Sequence, residues 1–179
     1  MCDITLALLG LIVGLPLFML VWFVAWCDTG SAIFRQKRVG QYKKTFTLMK
    51  FRTMHRGTAQ LASHETSIAA VTHVGRFLRR TKLDELPQLW NVLWGRMSLV
   101  GPRPCLLMQT ELIAAREALG VYQYRPGITG LAQINRIDMS NPRRLAKIDA
   151  QMMKNLTLQR YFLYLTLTAL GRGTNDPTT

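Results

Sequence analysis

Negative charge is scarce in this chain. Ten Asp and Glu stand against 23 Lys and Arg over 179 residues, a formal net charge of +13. An imbalance of that size calls for an anionic partner: nucleic acid, a lipid headgroup surface or a phosphorylated substrate. Cysteine is scarce too. Cys2, Cys27 and Cys105 are odd in number, far apart and without a Cys-x-x-Cys pair, which excludes a disulfide framework and a thiolate zinc site. The three histidines, His55, His64 and His73, are spaced nine residues apart. Neither a helix nor a strand gathers them on one face, so they read as surface histidines. There is no internal repeat and no low-complexity segment. With 49% apolar residues the chain is no disordered tail, and its length supports one domain with a real core but not two large ones.

The longest absence is of charge itself. From Ile4 to Cys27 there is no charged residue, 24 in a row between Asp3 and Asp28, so everything from Asp28 onward carries +14. A straight helix of that length reaches about 36 Å, against a hydrocarbon core about 30 Å thick. On the residues a single span is favoured. A signal peptide fits less well, since no basic region precedes the run and the run is too long. Pro16, with Gly10 and Gly14 before it, leaves another option, because proline breaks a helix interior. Each half, about 18 Å long, could then enter and leave by one face. In either case Arg35, Lys37, Arg38, Lys43, Lys44, Lys50 and Arg52 follow closely. The positive-inside rule places them in the cytoplasm, over anionic headgroups.

Beyond the apolar run, Ile33-Phe34 and Thr45 to Leu48 read as short strands around a turn at Val39-Gly40-Gln41. Thr53 to Val74 is polar and weakly periodic, a loop or a mobile helix over a site. Gly75 to Arg80 and Leu86 to Leu93 read as helices, and Gly101-Pro102-Arg103-Pro104 as an extended turn. Leu106 to Leu119 is helical up to Gly120. Pro126 to Gly130 is a tight glycine-rich turn. Pro142 to Lys154 is helical, with Asn141 as N-cap and Pro142 at the first position. The apolar tail from Leu156 to Leu170 is too short to span. It is either an interfacial helix with Tyr161 and Tyr164 at the boundary or a core helix.

Only at Asp84-Glu85 do two acids adjoin, with Arg76, Arg79, Arg80 and Lys82 before them and Arg96 and Arg103 after. Two readings stand. Asp84 is a good N-cap, with Glu85 favourable at the positive end of a helix. Alternatively, the bases hold a multiply charged phosphate while the acids supply a nucleophile, a base or a metal ligand. A divalent cation would then offset the repulsion between carboxylate and diphosphate.

The stretch Leu83-Asp84-Glu85-Leu86-Pro87, continuing through Gln88-Leu89-Trp90-Asn91 to Gly101-Pro102-Arg103-Pro104, closely resembles the signature of the bacterial sugar transferases, monotopic polyprenyl-phosphate phosphoglycosyl transferases. Two further blocks agree in order and spacing. Phe34-Arg35-Gln36-Lys37-Arg38-Val39-Gly40 with Lys50-Phe51-Arg52-Thr53-Met54 is similar to the family's first motif. Arg125-Pro126-Gly127-Ile128-Thr129-Gly130-Leu131-Ala132-Gln133 is similar to its third.

The resemblance implies a mostly helical α/β domain, residues 31–179, behind an N-terminal re-entrant membrane helix, residues 1–30, broken at Pro16, with interfacial amphipathic helices. It implies transfer of sugar-1-phosphate from a UDP-sugar to polyprenol phosphate, undecaprenyl phosphate, at the cytoplasmic face of the bacterial inner membrane, initiating a surface glycan. Asp84 would be the nucleophile that forms a covalent phosphosugar intermediate, and Glu85 the second acid. Mg²⁺ would sit on both. Arg79, Arg103, Arg38, Lys50 and Arg52 would bind phosphate, and Gly127 and Thr129 would belong to a substrate-site loop. Anionic headgroups are expected partners and nucleic acid is not. The sugar, the glycan and the oligomeric state, a homodimer included, stay open. The chain departs from the pattern at Leu15, where Ser is frequent, at Arg96, where an acid is common, and at Met152 and Met153, where aromatic residues are usual. A membrane phosphohydrolase and a non-catalytic basic module are the competing classes. Neither accounts for the Gly-Pro-Arg-Pro and Pro-Gly-Ile-Thr-Gly blocks.

Overall fold

The computed structural model describes residues 2–57 and 70–173. His64 and most of the polar stretch expected over a site lie outside the described residues. The chain forms two compact units. One contains the residues up to Gln36 together with Thr47–Gly95, and the other Lys37–Phe46 together with Arg96–Gly173. Both are mostly helical, with small sheets.

The first unit begins with α1 (Cys2–Val13) and α2 (Leu15–Thr29), whose axes bend by 69°. Proline is tolerated in the first helical turn, where its missing N–H has no partner to lose. Pro16 accordingly starts α2 rather than interrupting it, behind Gly14 as N-cap. The bend also needs a bare Cα at Gly14, where an added Cβ would stand 2.6 Å from the Gly10 carbonyl oxygen. Among the described residues no single helix is long and apolar enough to cross a membrane; the bent pair together passes that test. One face of α2 is seated. Val21 and Ala25, with Phe18, pack on Ala32, Phe51 and Leu78. Most of its other residues are exposed, Leu20, Phe23 and Trp26 by half or more.

Strands β1 (Ile33–Val39) and β2 (Thr45–Phe51) form a two-stranded sheet. The ends of the polar stretch after β2 pair as an antiparallel bridge, Met54 with Val71. Helix α3 (His73–Thr81) starts where Thr72 accepts the Gly75 N–H at 2.8 Å and donates to Asp28 at 2.6 Å, which ties it to the end of α2. Helix α4 (Gln88–Leu93) is short and packs against α1. It is fixed to β2 by one side chain. Asn91, fully buried, accepts from the Met49 N–H at 3.1 Å and donates to the Thr47 carbonyl at 2.8 Å, taking the place of a neighbouring strand.

The second unit is built on β3 (Ser98–Val100) and β4 (Gly127–Thr129), paired in parallel with Ser98 opposite Gly127 and Val100 opposite Thr129. The expected glycine-rich turn is therefore a strand. Two glycines allow it. A Cβ on Gly127 would lie 2.0 Å from the Gly101 nitrogen, so the backbones approach with nothing between them. Helix α5 (Thr110–Ala118) is shorter than the periodicity predicts, and α6 (Leu131–Ile134) is a single turn. Helix α7 (Pro142–Lys154) has the expected Asn141 cap, accepting from the Arg144 N–H at 3.1 Å. Leu112 of α5 joins Leu145 and Ala146 of α7, with Val39, Cys105 and Ala132, in the core. Helix α8 (Leu158–Ala169) buries Tyr161 and Tyr164, so of the two alternatives for this segment these tyrosines follow the core one. Leu158, Phe162 and Leu163 are its exposed large apolar residues. The helix packs against α6, β3 and β4.

The Asn91 contacts make a prediction. Asn91→Asp keeps the acceptor for Met49 but sets an oxygen against the Thr47 carbonyl. A buried group left unsatisfied costs about 1–3 kcal/mol, and each kcal/mol is about 2–4 °C in a chain of this size. The melting temperature of the purified variant in detergent should fall by several degrees; an unchanged value would show that Asn91 does not hold α4.

Candidate functional site

The two adjacent acids lie in a tight turn between α3 and α4. Lys82 ends α3 in the left-handed conformation, φ 57°. Such a φ is uncommon outside glycine and turns the chain back at once. A 3₁₀ turn, Leu83–Glu85, follows, and Pro87 precedes α4. Neither the turn nor α4 carries a side-chain cap. The N-cap reading of Asp84 is thereby corrected. Asp84 is 5% exposed and Glu85 half-buried, so a carboxylate has been drawn in from water without the helix end to explain it.

Lys50 on β2 accounts for part of that burial. Its Nζ stands 3.8 Å from Asp84 Oδ2 and 3.9 Å from Glu85 Oε1. Those separations exceed hydrogen-bond length but place one cation against both acids. The Asn91 clamp on Thr47 and Met49 sets this register, because it fixes the strand carrying Lys50 to the helix that follows the acids. Arg79 lies five residues before Asp84, and its Nε donates to Thr53 Oγ1 at 3.0 Å. Thr53 in turn lies under α3, where a Cβ on Gly75 would meet its carbonyl oxygen at 2.1 Å. Arg52 covers the Phe34 ring at 5.4 Å, and its pKa is lowered by burial and by the charge of Arg56. Lys50, Asp84 and Glu85 thus come together through β2 and one turn, while Arg79 of α3 is held in the same unit by Thr53. Among the described residues no group of three or more His, Cys, Asp or Glu could hold a metal by itself.

Arg38, Arg103, Gly127 and Thr129 belong to the second unit. Arg38 Nη1 donates to the Pro104 carbonyl at 3.2 Å. Burial pushes its pKa down to about 10, and the charge of Arg103 adds to that effect. Gly127 is buried against Gly101, and the Thr129 hydroxyl is 2.5 Å from that of Thr168 on α8, so in the structure both serve the packing of β4.

Two features escaped the sequence reading. Asn91 shows itself only as a polar residue within the apolar period Leu86, Leu89, Trp90, Leu93. Arg116 lies four residues after the core residue Leu112, and is 2% exposed. Its partner is Asp149 of α7, 1% exposed, at 2.6 Å. Burial alone would lower the Arg116 pKa; the Asp149 carboxylate outweighs it and keeps the guanidinium charged.

The bacterial sugar transferase family matches residues 1–172 of the chain. An undecaprenyl-phosphate galactose phosphotransferase of Salmonella typhimurium is 37% identical over 186 residues, covering 93% of this chain and 38% of that protein. The exopolysaccharide production protein ExoY of Sinorhizobium fredii is 39% identical over 176 residues, covering 87% of this chain and 76% of its own length. A UDP-glucose:undecaprenyl-phosphate glucose-1-phosphate transferase of Caulobacter vibrioides is 48% identical over 109 residues, 59% of this chain and 41% of that one. The chain therefore spans well under half of the first and the third of these relatives. The match over nearly the whole sequence decides the family: the chain belongs to the bacterial sugar transferases.

Proposed function

We propose that the chain moves a sugar-1-phosphate from a UDP-sugar to undecaprenyl phosphate at the cytoplasmic face of the bacterial cytoplasmic membrane, and so starts a surface glycan. The observation that carries this reading is the acid turn: a buried Asp84 beside Glu85, with the Lys50 ammonium within 4 Å of both. The relatives' names supply the substrate classes, undecaprenyl phosphate in two of them and UDP-glucose in one.

In this reading an Asp84 carboxylate oxygen bonds to the sugar-linked phosphorus of the donor. The bond from that phosphorus to the bridging oxygen breaks, and nucleoside monophosphate leaves with the electron pair. A phosphate oxygen of undecaprenyl phosphate then attacks the same phosphorus and returns Asp84 to a free carboxylate. Glu85 assists as a base for the incoming phosphate. Covalent capture lets a water-soluble donor and a membrane-bound acceptor visit in turn. Lys50, Arg52 and Arg79 bind phosphate in the first unit, and Arg38 and Arg103 do so in the second. Two adjacent carboxylates suit Mg²⁺, which takes one or two from a protein and completes its shell with water and substrate phosphate. Asp84 and Glu85 would hold the ion, which when bound neutralises charge on the diphosphate.

The apolar helix pair goes into the bilayer and returns by the same face, in this reading, because its 69° bend lies at Gly14 and Pro16. Helix α8 rests in the headgroup layer on Leu158, Phe162 and Leu163. The basic residues after α2 face anionic lipid.

Two experiments test these points. UDP-glucose and UDP-galactose, each with undecaprenyl phosphate and Mg²⁺, should release UMP. Without acceptor, donor labelled in the sugar phosphate should leave label on the wild-type protein and none on Asp84→Asn. Label retained on that variant would remove Asp84 as nucleophile. For the membrane topology, Cys2 and Cys27 are exposed and Cys105 buried. A membrane-impermeant maleimide should reach Cys2 only after cells are opened; reaction in intact spheroplasts would mean a span.

A further inference from the structure

Arg103 stands between two prolines. Neither Pro102 nor Pro104 has an N–H, so this segment cannot pair as a strand, and its carbonyls need donors from elsewhere. Each finds one. The Pro102 carbonyl accepts from the Gly127 N–H at 2.9 Å, and that of Cys105 from the Val39 N–H at 3.0 Å. The two in the middle are served by guanidinium groups: Pro104 by Arg38 Nη1 at 3.2 Å and Arg103 by Arg116 Nη1 at 2.9 Å.

The donor to Arg103 is held with unusual firmness. Arg116 Nη2 and Nε both donate to Asp149 Oδ2, at 2.6 and 3.0 Å. Asp149 Oδ1 is buried without a hydrogen-bond partner. As a device for stability alone this is a poor bargain. A buried ion pair is often replaced by apolar residues with no loss, and here one carboxylate oxygen is left unsatisfied. What the pair does provide is direction. With two donors committed to Asp149 on α7, the third cannot turn, and the carbonyl it meets fixes the peptide plane from which the Arg103 side chain departs.

We propose that Arg116, locked by Asp149, is a positioning residue for phosphate binding in the second unit: by holding the Arg103 carbonyl it fixes the backbone that carries the Arg103 side chain. The inference rests on the reading of Arg103 as a phosphate-binding residue. It extends that reading to two side chains that touch no substrate. Lysine cannot reproduce it, since an ammonium lacks the planar fork that engages a carboxylate and a carbonyl together.

The test is a double-mutant cycle on the full chain in detergent, with UDP-glucose and UDP-galactose as donors and undecaprenyl phosphate as acceptor. Arg103→Ala should raise the donor KM by about tenfold or more, the loss of a charge-assisted contact. Arg116→Lys should raise the donor KM by a similar factor. Combined, the two should be no worse than Arg103→Ala within about twofold, because coupled residues are not additive. A purely structural Arg116 would lower the active fraction, and so kcat, and leave KM in place. If Arg116→Lys does not fold, Asp149→Asn loosens the same guanidinium and should give the same rise in KM. An Arg116→Lys effect that adds in full to that of Arg103→Ala, or a KM unmoved by it, overturns the positioning role while leaving the phosphate role of Arg103 intact. An Arg103→Ala enzyme with unchanged KM instead overturns the reading beneath it.

Discussion

The first unit depends on one amide. Asn91 gives β2 the two hydrogen bonds that a neighbouring strand would otherwise supply, at Met49 and Thr47. A short helix of six residues has little stability of its own, and α4 would have no fixed place without this clamp and its packing on α1. Because Lys50 directly follows Met49 on β2, and the acid turn leads directly into α4, the same two bonds set the distance between the ammonium and both carboxylates. A packing interaction thus becomes a statement about charge. The acids can be buried because a cation is delivered to them by the strand.

That delivery matters in a chain so poor in acid. Two carboxylates side by side repel one another, and a diphosphate brought near them adds to the repulsion. Lys50 within 4 Å of each offsets the repulsion between the two carboxylates. The left-handed Lys82 has a part in this. A helix continuing straight from α3 would carry Asp84 and Glu85 onward with it; the sharp reversal points them back toward β2. Some local strain is stored in that residue and is offset by the packing of Leu83 and Leu86 on the core of the unit.

The second unit solves a different problem, that of holding a segment without N–H groups. Glycine on both sides allows β3 and β4 to approach so closely that no Cβ fits, while guanidinium donors reach carbonyls that no strand can serve. Arginine suits this because its donors are fixed in a plane and stay charged even when buried. Arg38 shows the limit of the device. Burial and the neighbouring charge of Arg103 lower its pKa to about 10, still high enough to remain charged at neutral pH.

The sequence by itself determined the family, through three ordered motifs, and the elements that depend on local chemistry. The cap at Asn141 and the helix over 142–154 follow from backbone rules that act within a few residues, whereas at Pro16 the residues alone favoured an unbroken span and the structure bends there. The uncharged run and the excess of bases were equally legible, because composition is independent of the fold. What the tertiary structure decided are the contacts between residues far apart in the chain. It turned the expected glycine-rich loop at Gly127 into a strand, since pairing with Ser98 to Val100 cannot be read from one segment. It drew Asp84 away from a capping role and set it beside Lys50, and it buried Tyr161 and Tyr164 while leaving Phe162 and Leu163 open. It also joined Arg116 to Asp149 and to Arg103. Local propensity is a property of neighbours in sequence, but the position of a buried charge is settled by the partner that relieves it, and only folding brings that partner near.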